Sequence, residues 1–351
     1  MCGIVGYIGN REAQNILLGG LKRLEYRGYD SAGVATLDST GKLTNVRAQG
    51  KVAELVALQG KNATKDTTGI GHTRWATHGA PSVKNAHPHT VGKITLVHNG
   101  IIENFEDLKQ VLEPKGYVFQ SDTDSEVLAA LIDSLYSGET SLLDAVLGAL
   151  RLVVGAYGIA VIASDAPNQI VVARSGSPLI IGLGKDETFI ASDASALIGH
   201  TNQVLYLKEG EVAVCTAGEV ELCDIAANSL SKAVETLEAD MQAIQKDGYD
   251  HFLLKEIHEQ PDTLRATLAG RVHLDTMTAS LGGINMSDDE LRQIRNIVIV
   301  GCGTANYAGQ LASYFIEQFT DDVTMRVEIA SELRYRSFHV PENTVALIVS
   351  Q

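Results

Sequence analysis

Cysteine is the second residue of this 351-residue chain, directly after the initiator methionine. Removal of Met1 would leave a thiol and a free α-amine together on Cys2. An α-amine has an ordinary pKa of roughly 7.7–8.0, so part of it is an unprotonated base at neutral pH. Such a base can activate the thiol as a nucleophile without a histidine or an aspartate from elsewhere in the chain. The simpler alternative is that Cys2 is an ordinary small second residue.

Four further segments concentrate polar residues inside strand-like surroundings. They are YRGYDSAG (26–33), GHTRWATHG (71–79), HNGIIEN (98–104) and SDTDSE (121–126). These residue types suit an amino-acid amide substrate. The guanidinium of Arg74 can bind an α-carboxylate through two hydrogen bonds, and the carboxylate of Asp124 can bind an α-ammonium. The Asn99 amide and the backbone N–H of Gly100 can stabilise a tetrahedral oxyanion.

Each of these residues also has a purely structural interpretation. Arg27 and Asp30 can form a surface ion pair, which typically contributes under ~1 kcal/mol. Trp75, the only tryptophan, can be a core residue. The Asn99–Gly100 dipeptide is a strong hairpin-turn signal.

Five histidines raise the possibility of a zinc site, because neutral imidazoles bind zinc well. They are His72, His78, His87, His89 and His98. No cysteine or carboxylate stands around them at the spacing of a zinc finger or of an HExxH motif. We therefore expect no metal.

Cys2 and the four segments, in this order, resemble the class II glutamine amidotransferases, the N-terminal-nucleophile type. In detail they are similar to the branch that transfers glutamine nitrogen to fructose 6-phosphate. The resemblance implies an α+β fold, namely a four-layer αββα sandwich. It implies that Cys2 attacks the glutamine amide with its own α-amine as the base, and that Asn99 and Gly100 form the oxyanion hole. The remaining implied roles are glutamine binding by Arg74, Thr77, His78 and Asp124, loop organisation by Arg27, and an ammonia gate at Trp75.

The elements that must position these residues are mostly strands. Short apolar runs bounded by Gly, Asp and Asn predict strands at 4–8, 33–37, 94–98, 157–163, 169–173, 179–182 and 204–207. Helical spacing of apolar residues predicts helices over 13–24 and 127–135. Many strands with few long helices and no regular β–α alternation predict a layered α+β domain. We place this glutaminase domain at residues 2–225 and a polar linker at 226–250.

The remaining residues, 251–351, begin with a helical stretch and then predict a parallel α/β arrangement. A strand at 297–300, the turn GCGT (301–304) and a helix over 306–319 precede strands at 324–329 and 344–349. The turn can bind a phosphate through its backbone N–H groups, or it can be a generic strand-to-helix turn. Since Gly309 comes three positions too late for GxGxxG, we expect no nicotinamide cofactor, and no other cofactor.

This second part resembles a sugar-isomerase (SIS) domain that is incomplete at its C-terminus. The resemblance places Thr304, Ser350 and Gln351 on the sugar-phosphate side. Ala305 stands where the family usually has serine, which removes one hydroxyl donor. We expect the natural protein to continue beyond Gln351, because open α/β sheets place their ligands where this chain stops.

Composition excludes several function classes. With 28 Lys and Arg against 43 Asp and Glu, the net charge of −15 repels nucleic acid and anionic lipid. The longest uncharged apolar stretch, 152–163, is too short to cross a bilayer, which takes about 20 residues. Four scattered cysteines without a CxxC pair indicate reduced thiols and a cytoplasmic protein.

The resemblance implies that glutamine nitrogen converts fructose 6-phosphate to glucosamine 6-phosphate, the first step of the hexosamine pathway. We expect this chain alone to catalyse only the glutaminase half-reaction, and the full-length protein to be a homodimer. Two alternatives remain. One is another class II amidotransferase, such as a phosphoribosylpyrophosphate-dependent one. The other is a non-catalytic module that senses sugar phosphates.

Overall fold

A computed structural model describes residues 2–25, 28–59, 64–76, 79–237, 249, 251–273, 275–279, 284, 286–333 and 335–349. Contacts divide the chain into two compact units, Met1–Gly283 and Ile284–Gln351. The second half of the predicted linker, 238–250, lies almost entirely outside the described residues. The predicted domain boundaries therefore stay predictions.

The first unit is rich in strands. In chain order its strands are β1 (Gly3–Ile8), β2 (Ser31–Leu37), β3 (Leu43–Gln49), β4 (Thr68–Arg74), β5 (His89–Val91), β6 (Ile94–Ile102), β7 (Gly155–Ala163), β8 (Ala166–Ser175), β9 (Ile180–Gly184), β10 (Glu187–Ala191), β11 (Gln203–Tyr206), β12 (Glu211–Cys215), β13 (Val220–Asp224), β14 (Ser229–Leu230), β15 (Glu235–Thr236), β16 (Val272–His273) and β17 (Thr278–Ala279). One antiparallel sheet has the order β15-β11-β9-β10-β1-β4-β2-β3, and a second has the order β14-β13-β12-β8-β7-β6-β5. The last two strands, β16 and β17, form a separate antiparallel pair.

The two large sheets pack face to face. Their shared core includes Ile4 and Ile190 from the first sheet and Val97, Ile162 and Val172 from the second, all fully buried. Because side chains alternate between the two faces of a strand, the opposite face of each sheet needs a second cover. Helices provide it.

The helices of the first unit are α1 (Ala13–Leu24), α2 (Val52–Gln59), α3 (Phe105–Leu112), α4 (Asp124–Leu135), α5 (Leu142–Leu150) and α6 (Phe252–Leu268). The buried faces of α1 and α2 share a core with β1, β2 and β10. Those of α3, α4 and α5 share a core with β6, β7 and β8. The layers therefore run helix, sheet, sheet, helix, and the predicted four-layer αββα fold is confirmed.

The second unit is a parallel α/β arrangement, as predicted. Its elements are α7 (Asp288–Gln293), β18 (Asn296–Gly301), α8 (Thr304–Glu317), β19 (Thr324–Ile329), α9 (Ala330–Leu333) and β20 (Thr344–Ile348). Both β19 and β20 pair in parallel with the central strand β18. The predicted strand–turn–helix is present, since α8 begins three residues after β18 ends. A side chain at Gly301 would lie 3.1 Å from the backbone of Ala305, so glycine allows this tight turn.

Candidate active site

Strand pairing places Cys2 beside Arg74. In the register of β1 with β4, Gly3 lies opposite Thr73 and Ile4 lies opposite His72, so the residue before β1 faces the end of β4. The backbone next to Cys2 is fixed on its other side as well. The Ile4 N–H donates to Ser192 Oγ at 2.9 Å, and the Ser192 N–H donates back to the Ile4 carbonyl at 3.0 Å. The predicted nucleophile therefore lies at the end of two paired central strands.

The thiol of Cys2 is held by the backbone of Trp75. The Trp75 N–H donates to Sγ at 3.2 Å, and the thiol faces the Trp75 carbonyl at 3.5 Å. Burial raises the pKa of the Cys2 thiol above its ordinary value, which the Trp75 N–H and the positive charge of Arg74 only partly oppose. The thiol is therefore protonated at neutral pH, and a base must remove its proton before it can attack a carbonyl.

Asn99 and Gly100 lie within strand β6 rather than in a hairpin turn, so the turn interpretation of this dipeptide is wrong. They pair with Gly158 and Tyr157 of β7. Gly100 has φ +139, and a side chain there would come within 2.0 Å of the Ala156 carbonyl oxygen. Only glycine allows this backbone conformation. The Asn99 Nδ2 donates to the carbonyl oxygen of Cys2 at 3.2 Å.

Asp124 is the first residue of α4 and is only 4% exposed. Its Oδ2 accepts a hydrogen bond from the Ile102 N–H at 2.8 Å, at the end of strand β6. Thr123 precedes it as the N-cap and accepts from the Glu126 N–H. The carboxylate is thus fixed at a helix N-terminus, where the helix dipole stabilises negative charge.

Arg74 ends β4 and is 3% exposed. Its guanidinium donates to the Gly79 carbonyl at 3.3 Å and to the Ala80 carbonyl at 3.5 Å. Burial lowers the pKa of Arg74, an effect that nearby acidic groups, Asp124 among them, oppose. Arginine keeps its positive charge over the physiological range, so Arg74 supplies a buried cation to the site.

A single cavity of about 410 Å³ brings these groups together. Its lining includes Cys2, Arg74, Trp75, Asn99, Gly100 and Asp124. The size suits a small amino acid with water, since ligand pockets start at roughly 300 Å³. The structure therefore collects in one place six residues that are spread over more than 120 positions of sequence.

The cavity also has lining residues that the sequence did not indicate. They include Ser177, Thr267 and Arg271. Arg271 follows α6 and donates from Nε to Glu103 Oε1 at 2.6 Å, across 168 positions of sequence. Only tertiary contact reveals such a pair, because no short motif joins the two residues.

The segment 28–30 supports the residues next to the thiol. The Asp30 carboxylate accepts from the Ala76 N–H at 2.9 Å, and the Asp30 N–H donates to the Arg74 carbonyl at 3.0 Å. Trp75 is 38% exposed and packs edge-on against Tyr29 with ring centroids 5.3 Å apart, so the core interpretation of Trp75 is wrong. Gly28 packs directly on the backbone of Arg74 and Trp75.

Five predicted site residues, Arg27, Thr77, His78, Ser350 and Gln351, lie outside the described residues. Thr304, the third residue predicted on the sugar-phosphate side, is described. It is exposed at the start of α8 in the second unit. The roles of all predicted site residues stay predictions.

Three histidines that the sequence offered as zinc ligands are buried and uncharged. Burial lowers the pKa of His72 and of His89 to about 3, and it lowers that of His87 well below its ordinary value. Their rings are in contact, with centroids 4.2 Å apart for His72 and His87. Within the described ranges, no group of three or more His, Cys, Asp or Glu side chains is arranged to hold a metal ion. In the same part of the chain, no helix is both long and apolar enough to cross a membrane.

Comparison with known sequences relates the chain to one enzyme family. A family model described as a glutamine amidotransferase domain matches residues 59–252. A glutamine–fructose-6-phosphate aminotransferase (isomerizing) of Chlorobaculum tepidum is 49% identical over the whole of this chain, and one of Bacteroides thetaiotaomicron is 44% identical. The chain spans 58% of the length of each of these relatives.

Comparison with solved structures also relates the first unit to amidotransferases. The glutamine phosphoribosylpyrophosphate amidotransferase of B. subtilis, complexed with ADP and GMP, matches with a TM-score of 0.55 at 31% identity. A structure described as the allosteric regulatory enzyme of purine biosynthesis matches with a TM-score of 0.56 at 32% identity. Each match covers 65% of this chain and 50% of the other. The predicted N-terminal-nucleophile fold is thereby confirmed.

Proposed function

Because the chain belongs to the glutamine amidotransferase family, we propose that its first unit hydrolyses glutamine at Cys2. The observation that carries this proposal is the single cavity lined by a thiol, an amide beside a strained glycine, a buried cation and a buried anion. Glutamine needs all four groups. Its side-chain amide is the electrophile, and its α-carboxylate and α-ammonium require opposite charges.

The proposed first step is attack of the Cys2 thiol on the side-chain amide carbon of glutamine. Among the described residues, the hydrogen-bond partners of Sγ are the backbone N–H and carbonyl of Trp75. We therefore assign the base to the α-amine that removal of Met1 would expose on the same residue. The amine takes the thiol proton as the C–S bond forms, and it returns that proton to the leaving nitrogen as the C–N bond breaks.

Negative charge develops on the amide oxygen in this step. The Asn99 Nδ2 has two hydrogens, of which the Cys2 carbonyl accepts one, so the second can be donated to the oxyanion. The N–H of Gly100 is the second proposed donor. Fixed donors of this kind stabilise the transition state by ~3–4 kcal/mol each. Collapse of the intermediate releases ammonia and leaves a γ-glutamyl thioester, which water hydrolyses to glutamate with the same groups.

Glutamine is held by its α-groups in this proposal. The guanidinium of Arg74 binds the α-carboxylate and the carboxylate of Asp124 binds the α-ammonium. Thr77 and His78 complete the binding, Arg27 organises the loop around the nucleophile, and Trp75 gates the passage of ammonia. These last four assignments rest on the resemblance of the motifs.

We further propose that the whole protein transfers this ammonia to fructose 6-phosphate and forms glucosamine 6-phosphate. The relatives that match the entire chain carry the name of that aminotransferase. The parallel sheet of the second unit, with the tight turn at Gly301 before Thr304, suits a sugar-isomerase domain that binds the phosphate. This chain alone catalyses the glutaminase half-reaction. The homodimer and the cytoplasmic location expected from the sequence stay predictions.

The two alternatives fit less well. A phosphoribosylpyrophosphate-dependent enzyme matches 65% of this chain, whereas the fructose-6-phosphate enzymes match all of it at higher identity. A non-catalytic sensor would not need a thiol, an oxyanion hole and charged groups in one cavity.

The test is release of glutamate from glutamine by the purified chain, with the N-terminus checked by intact-protein mass. The chain that begins with Cys2 should release glutamate, and the Cys2→Ala variant should not. A chain that retains Met1 should also be inactive, because its Cys2 has no free amine. Equal glutamate release by the Cys2→Ala variant would refute the assignment.

A further inference from the structure

A buried histidine with no role in the proposed mechanism contacts the proposed oxyanion donor. We propose that His72 is a positioning residue that fixes which end of the Asn99 side-chain amide faces Cys2. This inference rests on the proposed function, because it requires Asn99 to donate a hydrogen bond to the oxyanion.

The geometry at His72 fixes the position of its proton. His72 lies in the middle of β4, opposite Ile4 of β1 and Gly33 of β2, and it is 0% exposed. Its Nε2 lies 3.1 Å from the backbone carbonyl oxygen of His98. A carbonyl oxygen only accepts, so Nε2 must carry a hydrogen. The Nδ1 atom has no hydrogen-bond partner among the described residues, which agrees with a neutral ring protonated on Nε2.

The same Nε2 lies 3.0 Å from the side-chain oxygen of Asn99. Nε2 carries one hydrogen, which the His98 carbonyl oxygen and the Asn99 oxygen share. It therefore attracts the Asn99 oxygen and repels the Asn99 NH2 group. The amide therefore presents its oxygen to His72 and its NH2 group to Cys2, where Nδ2 donates to the Cys2 carbonyl at 3.2 Å. A flipped amide would place its oxygen against the Cys2 carbonyl and against the developing oxyanion, with both contacts repulsive.

Neutrality of the ring supports this role. Burial lowers the pKa of His72 to about 3, so the ring stays uncharged at any pH at which the thiol chemistry runs. A neutral Nε2–H fixes the amide without placing a cation between the strands. The ring also contacts that of His87, another neutral imidazole.

The alternative is that His72 only fills the core, and steady-state kinetics with glutamine distinguish the two roles. The His72→Phe variant fills the space without a donor. We expect its kcat for glutamate release to fall by about 10- to 100-fold, a large part of the loss seen when an oxyanion donor is removed, with KM changed less than about threefold. The His72→Gln variant, whose amide can donate from near the Nε2 position, should recover at least about one third of kcat.

Two controls separate positioning from packing. His89→Phe removes an equally buried histidine whose partner is Thr123, and it should lower the melting temperature with kcat within about twofold of the parent. In an Asn99→Ala background, His72→Phe should lower kcat by less than about twofold, since the donor that it positions is already gone.

The inference fails if His72→Phe keeps kcat within twofold, or if its effect is undiminished in the Asn99→Ala background. If the Phe variant does not fold, His72→Gln and His72→Asn replace it, because Asn reaches only the Nδ1 position. Gln should then exceed Asn at least about tenfold in kcat, and equal values would overturn the inference. A failure of the proposed function can be told apart from a failure of this inference. If the proposed function were wrong, the parent chain itself would release no more glutamate than the Cys2→Ala variant.

Discussion

Replacement of Gly28 by alanine should disturb the active site through the backbone of Arg74 and Trp75, while every proposed site side chain stays unchanged. Gly28 is buried, and an added Cβ would lie 2.7 Å from the carbonyl carbon of Arg74 and 2.9 Å from the nitrogen of Trp75. Both neighbours are backbone atoms, so neither can rotate away. The Trp75 nitrogen is also the donor that holds the Cys2 thiol at 3.2 Å.

The size of the effect follows from these distances. Ordinary contact begins at 3.4 Å, so the closest approach is 0.7 Å too short and the strand end at Arg74 must move by a similar amount. Forcing an extra methyl into a packed site costs about 1–3 kcal/mol of folding free energy. A displacement of ~1 Å at a reacting group costs about 100-fold in rate, so we expect kcat/KM for glutamine to fall by about 10- to 100-fold.

The assay compares glutamate release and urea unfolding of Gly28→Ala with those of Gly19→Ala. Gly19 lies in helix α1, and an added Cβ there meets no atom within 4 Å. This control should keep its activity and gain about 0.5–1 kcal/mol in stability, since alanine favours helix over glycine. If Gly28→Ala kept kcat/KM within twofold of the parent, the proposed dependence of the thiol on the Trp75 backbone would be refuted.

Three further predictions concern binding, strain and acid stability. Asp124→Asn should raise the KM for glutamine at least about tenfold with little change in kcat, because a charged hydrogen bond contributes about 1.5–3 kcal/mol; an unchanged KM would contradict the assignment. Gly100→Ala should lower both stability and kcat, since φ +139 and the Ala156 carbonyl exclude a side chain; a native melting temperature would contradict this. Folding stability should fall as the pH drops from about 6.5 toward 3, because the unfolded chain protonates His72 and His89 there and the folded chain does not. At pH 5.5 the free energy of unfolding measured in urea should be lower by about 1.4 kcal/mol per histidine than at neutral pH. The His89→Phe variant should lose the part of this pH dependence that His89 contributes.

Local pattern predicted the strand that follows the nucleophile and the first half of the strand that contains the oxyanion dipeptide. The predicted strand at 94–98 stops one residue before Asn99, whereas β6 continues to Ile102. Apolar runs bounded by turn residues marked β1, β2 and the first half of β6, and the apolar face of α1 was visible in its spacing. The motif order then predicted which residues share the cavity. The structure brings together all of those that it describes in the first unit.

Helix α5 and strand β4 were harder to predict from local sequence pattern. Helix α5 is apolar on almost every side, so no amphipathic period marks it, although Ser141 capping Asp144 was a readable start signal. Strand β4 reads TGIGHTR, with few strand-forming residues, and becomes a strand because β1 and β2 pair with both of its edges. Such pairing depends on distant residues, which a local pattern does not contain.

Side-chain orientation was the least predictable feature. The sequence offered His72 only as a zinc ligand. Its partner Asn99 is 27 positions further along the chain, in a strand of the other large sheet. Likewise, nothing in the sequence separated Asn99–Gly100 in a turn from the same dipeptide within a strand. The β6–β7 pairing made that distinction.

The central claim is that Cys2 forms a covalent intermediate with glutamine, using its own α-amine as the base. The most direct measurement is rapid acid quenching of the chain with glutamine, followed by mass spectrometry of the N-terminal peptide. We predict that the peptide beginning with Cys2 gains the mass of one γ-glutamyl group, which alkaline hydroxylamine removes as expected for a thioester. The same peptide with Met1 retained should gain nothing. Glutamate release without any adduct on Cys2, or an equal adduct on the chain that retains Met1, would contradict the claim.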